Sequence, residues 1–310
     1  MKTTLIQSTS EAAELLHAGK LVAFPTETVF GLGVDATSDD GVRRLFDAKG
    51  RPGSNPLIVH VSDASQWSQV AASLTSIAEA LLAAFAPGPL TVVLPKRAEI
   101  SSLVTAGLDT VGLRVPDHPV AQEILQLAGI PIAAPSANRS GRPSGTRWRT
   151  VLEDLEGRVD AVFQQDGPSL GLESTVVDCT GLTATVLRPG AVTFEQIRRI
   201  LPEASDYAPT AENSDTTDVR SPGTLHPHYQ PRAEVRLVDS PDSIVLASGD
   251  RSAYCGLQAV DDASQFALAC VFETIDDYAA GFYEFLREAD RQSVSLVYVQ
   301  LAPGEGIGQA

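Results

Sequence analysis

The sequence predicts an α/β protein in two parts: a twisted, mixed sheet domain carrying helices, followed by a smaller α/β unit. Three observations carry this. Short apolar runs alternate with capped, amphipathic stretches through the first 200 residues. A stretch from Pro202 to Ala233, rich in Pro, Ser, Thr and Asp and without apolar periodicity, then reads as a linker. After it the strand-and-helix pattern resumes to the end of the chain.

Taken in order, Ser8 and Glu11 have the spacing of a capping box ahead of AAELL and predict a first helix. LVAF (21–24) reads as a strand, Ser38-Asp39-Asp40 caps a helix containing VRRLF, and PLIVHV (56–61), LTVVL (90–94) and VGLRV (111–115) read as strands. Asp117 precedes the helical stretch VAQEILQLA. PIAA (131–134), AVFQ (161–164), STVVDC (174–179) and ATVLR (184–188) are further strands, and Thr193 caps FEQIRRIL. The connections vary in length, so an all-parallel sheet is not implied. Beyond the linker, VRLV, SIVLAS and SLVYVQL are expected as strands. Ile275–Asp290 is expected as an amphipathic helix with Tyr278, Phe282, Phe285 and Leu286 on one side. The expected organisation is 1–201 for the first domain, 202–233 for the linker and 234–310 for the second domain.

Composition narrows the function. Of 310 residues, 43% are hydrophobic and 20% charged, which suits a packed core. No apolar run approaches the roughly 18 residues of a membrane span, and Glu11 and Glu14 interrupt any secretory signal. Cys179, Cys255 and Cys270 are far apart and form no CxxC pair, so neither a disulfide framework nor a cysteine metal site is expected, and a cytoplasmic location is. The net charge of −16 is uneven: residues 201–310 hold 6 basic and 18 acidic side chains, leaving the first 200 near balance. A broad nucleic-acid face is disfavoured, whereas basic residues clustered in a few loops suit a local anion pocket.

Five segments could carry chemistry. PTETVFGLG (25–33) leaves a strand end with Thr26, Glu27 and Thr28, and reads equally as a site or a polar turn. Its overlap with GLGVDA mimics a dinucleotide fingerprint. That reading is rejected, because the glycines do not sit directly between a strand and an apolar helix. DAKGRPGSNPLIVH (47–60) places Lys49 and Arg51 in a Gly/Pro-rich loop suited to phosphate, though not as a P-loop. A solvated basic turn is the plainer alternative. His60, at the end of an apolar strand, reads on its own as structural.

In VGLRVPDHP (111–119), Arg114 lies inside an apolar run, where its charge needs a partner, either a ligand carboxylate or a structural ion pair. APSANRSGRPSGT (134–146) offers many donors in a loop stiffened by Pro135 and Pro143. ESTVVD (173–178) and VLRPG (186–190) again put polar groups, Ser174 and Arg188, at strand ends. Cys179 reads as core filling.

Taken in order and with their spacing, PTETVFGLG, KGRPGSNPLIVH, PGPLTVVL, VGLRVPDHP, APSANRSGRPSGT, ESTVVD and VLRPG resemble the YrdC-domain family in its long form, and SPG…HYQP in the linker extends the likeness. The resemblance implies a YrdC-type sheet domain with a small Rossmann-like second domain. It also implies synthesis of threonylcarbamoyl-AMP and pyrophosphate from L-threonine, bicarbonate or CO2, and ATP, with the product feeding threonylcarbamoyladenosine formation in tRNA. By position, threonine would meet Thr28, His60, Arg114, the Ala134 backbone and Ser174. ATP would meet Lys49, Arg51, Asn55, Thr110, Ser136, Ser144 and Arg188, with His228 and Tyr229 reaching in from a linker that closes over the site. Lys49, Arg51 and Arg188 would face the reacting phosphates. Mg2+ would arrive with ATP, without a protein metal site.

The implied partners downstream are the tRNA threonylcarbamoyl-transfer proteins. A weak affinity for RNA through Arg139, Arg142, Arg147 and Arg149 is a competing expectation, and carbamoyl transfer to another acceptor is a third. Thr224–Pro227 is less basic than the matching stretch in the family, and the family runs on into a final helix where this sequence ends in GEGIGQA.

Overall fold

The computed structural model describes residues 2–165, 167, 170–206, 229–246 and 251–310. In the first unit the order is β1 (Thr4–Ile6), α1 (Thr9–His17), β2 (Val22–Phe24), β3 (Gly31–Asp35), α2 (Asp39–Lys49), β4 (Ile58–His60), α3 (Ser76–Phe85), β5 (Leu90–Pro95), β6 (Thr110–Arg114), α4 (Pro119–Ala128) and β7 (Ile132–Ala133). It continues with α5 (Trp148–Leu155), β8 (Ala161–Phe163), β9 (Thr175–Asp178), β10 (Thr185–Arg188) and α6 (Phe194–Ile200). The strands form one mixed sheet in the order β1-β8-β2-β3-β7-β4-β6-β5-β9-β10.

The two-residue period of a strand divides the core between the faces of this sheet. Leu21 and Ala23 face one cluster with Val34, Leu45, Leu81 and Val151, which α2, α3 and α5 cover. Val22 and Phe24 face the other cluster, built with Leu16 of α1 and Ile124 of α4. The same alternation accounts for a charge within an apolar run. Val111, Leu113 and Val115 enter the first cluster, so Arg114 emerges on the opposite face beside Gly112.

The helices start where capping chemistry sets them. Ser8, Ser38 and Thr193 accept from Glu11, Gly41 and Gln196 N–H groups, and Gln196 completes a capping box with Thr193. For α4 the cap is one residue later than expected. His118, not Asp117, accepts from the Val120 N–H through Nδ1 at 3.2 Å, because Pro119 takes the first helical position.

Strands β1 and β3 are additions to the sequence expectation, as are α3 and α5. β1 is three residues at the N-terminus, and β3 carries two glycines that lower its strand propensity. Gly33 is there for space: a Cβ on it would lie 2.6 Å from Phe24 Cε1 and 3.0 Å from Ile132 Cγ2.

In the second unit, β11 (Glu234–Val238), β12 (Ser252–Gly256), β13 (Leu268–Val271), α7 (Ile275–Arg291) and β14 (Leu296–Gln300) form a parallel sheet, β11-β14-β12-β13, packed against α7. The expected strand SIVLAS is not one over its described part: Pro241–Ser243 is a 3-10 turn and residues 244–246 join no strand. Its place goes to SAYCG and LACV. β12 is buried along its length between β14 and β13. On α7, Tyr278, Phe285 and Leu286 are buried and Phe282 packs beside them, as expected.

Gly33→Ala is expected to lower unfolding stability by about 1–3 kcal/mol through overpacking, read as a shift in the urea midpoint. An unchanged midpoint would show that β2 and β3 do not approach as described.

Candidate active site

The site forms on the sheet face away from the larger core, where β4, β6 and β5 run side by side. His60 and Arg114 are the last residues of parallel strands and stand in register, with Thr91 opposite Arg114. Ser174, just before β9, shares a 2.8 Å hydroxyl contact with Thr91. Two loops close the sides. The Thr26 hydroxyl donates to the Val29 carbonyl at 2.7 Å and bonds Thr28 Oγ1 at 2.9 Å, which shapes the first loop. Phe30 N–H to Gly145, Leu32 N–H to Pro135 and Ala137 N–H to Phe30 then join it to the 134–146 loop.

Cations enter from three directions. α2 ends at Gly50, whose φ of 61° lies in the left-handed region. The Arg51 N–H reaches back to the Phe46 carbonyl and the Gly50 N–H to Asp47, a Schellman closure. That reversal lets Lys49 and Arg51, on either side of the glycine, both face the pocket. Lys49 Nζ donates to the carbonyls of Ser136 and Asn138, each at 2.5 Å. Arg51 donates to the carbonyls of Asn55 and Pro56 at 3.3 and 2.9 Å. Arg188 donates to the Ser174 carbonyl at 2.8 Å through Nη2. Backbone carbonyls thus orient all three side chains. Arg114 differs: its Nη2 lies 2.6 Å from Glu27 Oε1, with both side chains buried.

The electrostatics follow from burial and crowding. Burial, with Arg51 nearby, pushes the Lys49 ammonium well below its ordinary range. Burial and Arg188 bring Arg51 down to about 10. Burial, with Arg114 alongside, lowers His60 to about 3, so it is neutral near pH 7. Its Nδ1 has no hydrogen-bond partner among the described residues. An anion entering this space relieves repulsion among the cations and gains their preset donors.

Of the residues expected at the site, Thr28, Lys49, Arg51, His60, Arg114, Ala134, Ser136, Ser174, Arg188 and Tyr229 line one pocket. The Ala134 N–H is already donated to Ile58, which leaves its carbonyl for a ligand. Three expected residues are not in the lining. Thr110 sits at the far end of β6, paired with Pro95 and four residues from Arg114. Asn55 lies behind Arg51, to which it gives its carbonyl. Ser144 is turned away, donating to Glu173 Oε1 at 2.6 Å. His228 falls outside the described residues.

The sequence reading passed over Glu27 as the partner of Arg114, a contact 87 positions apart that no local spacing reveals. Glu173 and Asn138 also line the pocket and were not singled out. Asn138 shapes its loop by donating to the carbonyls of Arg139 and Arg142.

A mixed sheet with a cation-lined pocket at its strand ends defines the class, an α/β protein whose pocket is suited to anions. A sequence profile described as "Telomere recombination" matches residues 14–190, and one described as "Threonylcarbamoyl-AMP synthase, C-terminal domain" matches residues 192–310. The threonylcarbamoyl-AMP synthase of Pyrococcus abyssi is 37% identical over 96% of this chain and 90% of its own length, and that of Bacillus subtilis is 37% identical over 97% and 90%. The crystal structure of the P. abyssi Sua5 protein complexed with L-threonine matches with a TM-score of 0.90 at 34% identity, covering 99% of this chain and 94% of that one. The chain belongs to the threonylcarbamoyl-AMP synthase family. No helix among the described residues is long and apolar enough to cross a membrane.

His60 gives a pH signature. Its ordinary value is 6.5 and its folded value about 3, so between these the unfolded chain binds the proton more readily. The stability from a neutral His60 is therefore complete above pH 6.5 and is lost as pH falls through that window. Urea midpoints measured from pH 7 to 5 should fall more steeply for the wild type than for His60→Leu. Parallel curves would contradict a buried neutral imidazole.

Proposed function

We propose that the chain joins L-threonine, bicarbonate or CO2, and ATP into L-threonylcarbamoyladenylate, releasing pyrophosphate, and that the product supplies threonylcarbamoyladenosine formation beside the anticodon of tRNA. The observation that carries this is the convergence of Lys49, Arg51 and Arg188 on one pocket, held by neutral carbonyls, with Arg114 at its floor.

The chemistry needs such a place. The threonine nitrogen adds to CO2 and loses a proton, giving a carbamate. A carbamate oxygen then bonds to the α-phosphorus of ATP as the bond to the β-phosphate bridging oxygen breaks. Nucleophile and electrophile are both anionic, so positioning and charge stabilisation suffice without a covalent nucleophile. Arg114 receives the amino-acid carboxylate, competing with Glu27 for the same guanidinium. Thr28, Ser174 and the Ala134 carbonyl complete the threonine side, and His60, kept neutral, leaves its Nδ1 open to a ligand atom. Lys49, Arg51, Ser136 and Arg188 take the phosphates, with Tyr229 at the edge. Mg2+ rides on the ATP phosphates and adds to their charge neutralisation.

The RNA reading gains little: the Arg142 side chain and the Arg139 N–H are already tied to Asp154. The product's acceptors downstream would be proteins that transfer threonylcarbamoyl to tRNA.

Pyrophosphate release should require threonine and bicarbonate together with ATP. Arg188→Ala should lower kcat by about 100-fold while calorimetric threonine affinity stays within about threefold. Release at equal rate without threonine, from folded protein, would sink the proposal.

A further inference from the structure

The wall formed by residues 135–146 is fastened from behind by the second unit. Asp154, on α5, is fully buried at its side chain and accepts four bonds. The Arg139 N–H reaches it at 3.0 Å and Arg142 Nη1 at 2.7 Å. Both arms of Arg287, on α7, reach it at 3.0 and 2.8 Å. Arg287 Nη2 also donates to the Pro143 carbonyl. A second node lies at Glu173, which accepts from Ser144 Oγ and from the Tyr283 hydroxyl, each at 2.6 Å. The Tyr229 ring stands 5.2 Å from that of Tyr283. The Gln230 N–H reaches the Gly141 carbonyl at 2.8 Å.

Tyr283 and Arg287 are four residues apart, so α7 presents them on one face about 6 Å apart along its axis. Neither lines the pocket. Each instead holds a carboxylate that holds the loop, and between them they fix both arms of a segment whose Ser136, Asn138, Ser140 and Arg142 do line it. Buried charge-assisted bonds of this kind are strong and directional, and a wall misplaced by about 1 Å costs of the order of 100-fold in a reaction that depends on positioning.

We propose that Tyr283 and Arg287 are positioning residues for ATP, and that the second unit acts on the reaction by setting the nucleotide-side wall through Glu173 and Asp154. The proposal rests on the assignment of the 135–146 loop to the phosphates made under Proposed function.

The test compares Tyr283→Phe and Arg287→Lys with Arg291→Ala. Arg291→Ala breaks a different contact between the units, 2.9 Å to Glu153, away from the wall. Two readouts are used: KM for ATP and for threonine, and amide hydrogen exchange across residues 136–146 against residues 90–94. The first two variants should raise KM for ATP about tenfold, leave KM for threonine within about twofold, and speed exchange in the wall while the strand stays protected. Arg291→Ala should do none of this. An equal rise in both KM values, an equal effect of Arg291→Ala, or unchanged wall exchange would overturn the proposal. If the wild type released no pyrophosphate, the functional reading would fail, whereas the exchange comparison would still report on the wall.

Discussion

The structure depends on bringing three cationic side chains, Lys49, Arg51 and Arg188, to one pocket. Lys49, Arg51 and Arg188 meet in a partly dry space, and the protein fixes each one with backbone carbonyls. A carbonyl orients a cation but leaves its charge available. Carboxylates in those positions would have made a more stable apo protein and a poorer anion site, since a ligand would then have to break an ion pair to enter. The depressed titration of Lys49 and Arg51 is the electrostatic trace of that choice.

Arg114 is the exception, and its partner has a meaning of its own. Without Glu27 the buried Arg114 guanidinium would keep a 3.4 Å bond from Nε to the Gly88 carbonyl but lose its counter-charge. Under the proposed function, a substrate carboxylate would take the place of Glu27 at that guanidinium. His60, one strand away and in register with Arg114, stays neutral. The arginine's field and the loss of water both disfavour a second positive charge there.

Much of this was legible in the sequence because strand alternation and capping are local. The run LVAF predicted β2, and the Ser38 and Thr193 caps predicted where α2 and α6 begin. Arg114 stood out because a charge in an apolar run must find a partner, and the KGR segment because two cations flank a glycine. What the sequence hid is long-range. Glu27 lies 87 positions from Arg114, and Tyr283 lies 110 positions from Glu173. Gly33 belongs to a stretch that mimics a dinucleotide fingerprint, a reading its context rejects, and it makes room for a phenylalanine ring. SIVLAS has the composition of a strand, yet the strand position went to SAYCG, because pairing with β13 and β14 decided it. Thr110 lies only four residues before Arg114 but is carried to the other end of β6 by the rise of the strand.

The central claim is that one pocket brings a threonine carbamate to the α-phosphorus of ATP. The most direct measurement supplies carbon-labelled bicarbonate, L-threonine and α-phosphorus-labelled ATP together, and isolates the adenylated product quickly. A single compound carrying both labels and the threonine side chain is the predicted result. AMP formed without the carbon label, or an adenylate of threonine lacking it, would contradict the account.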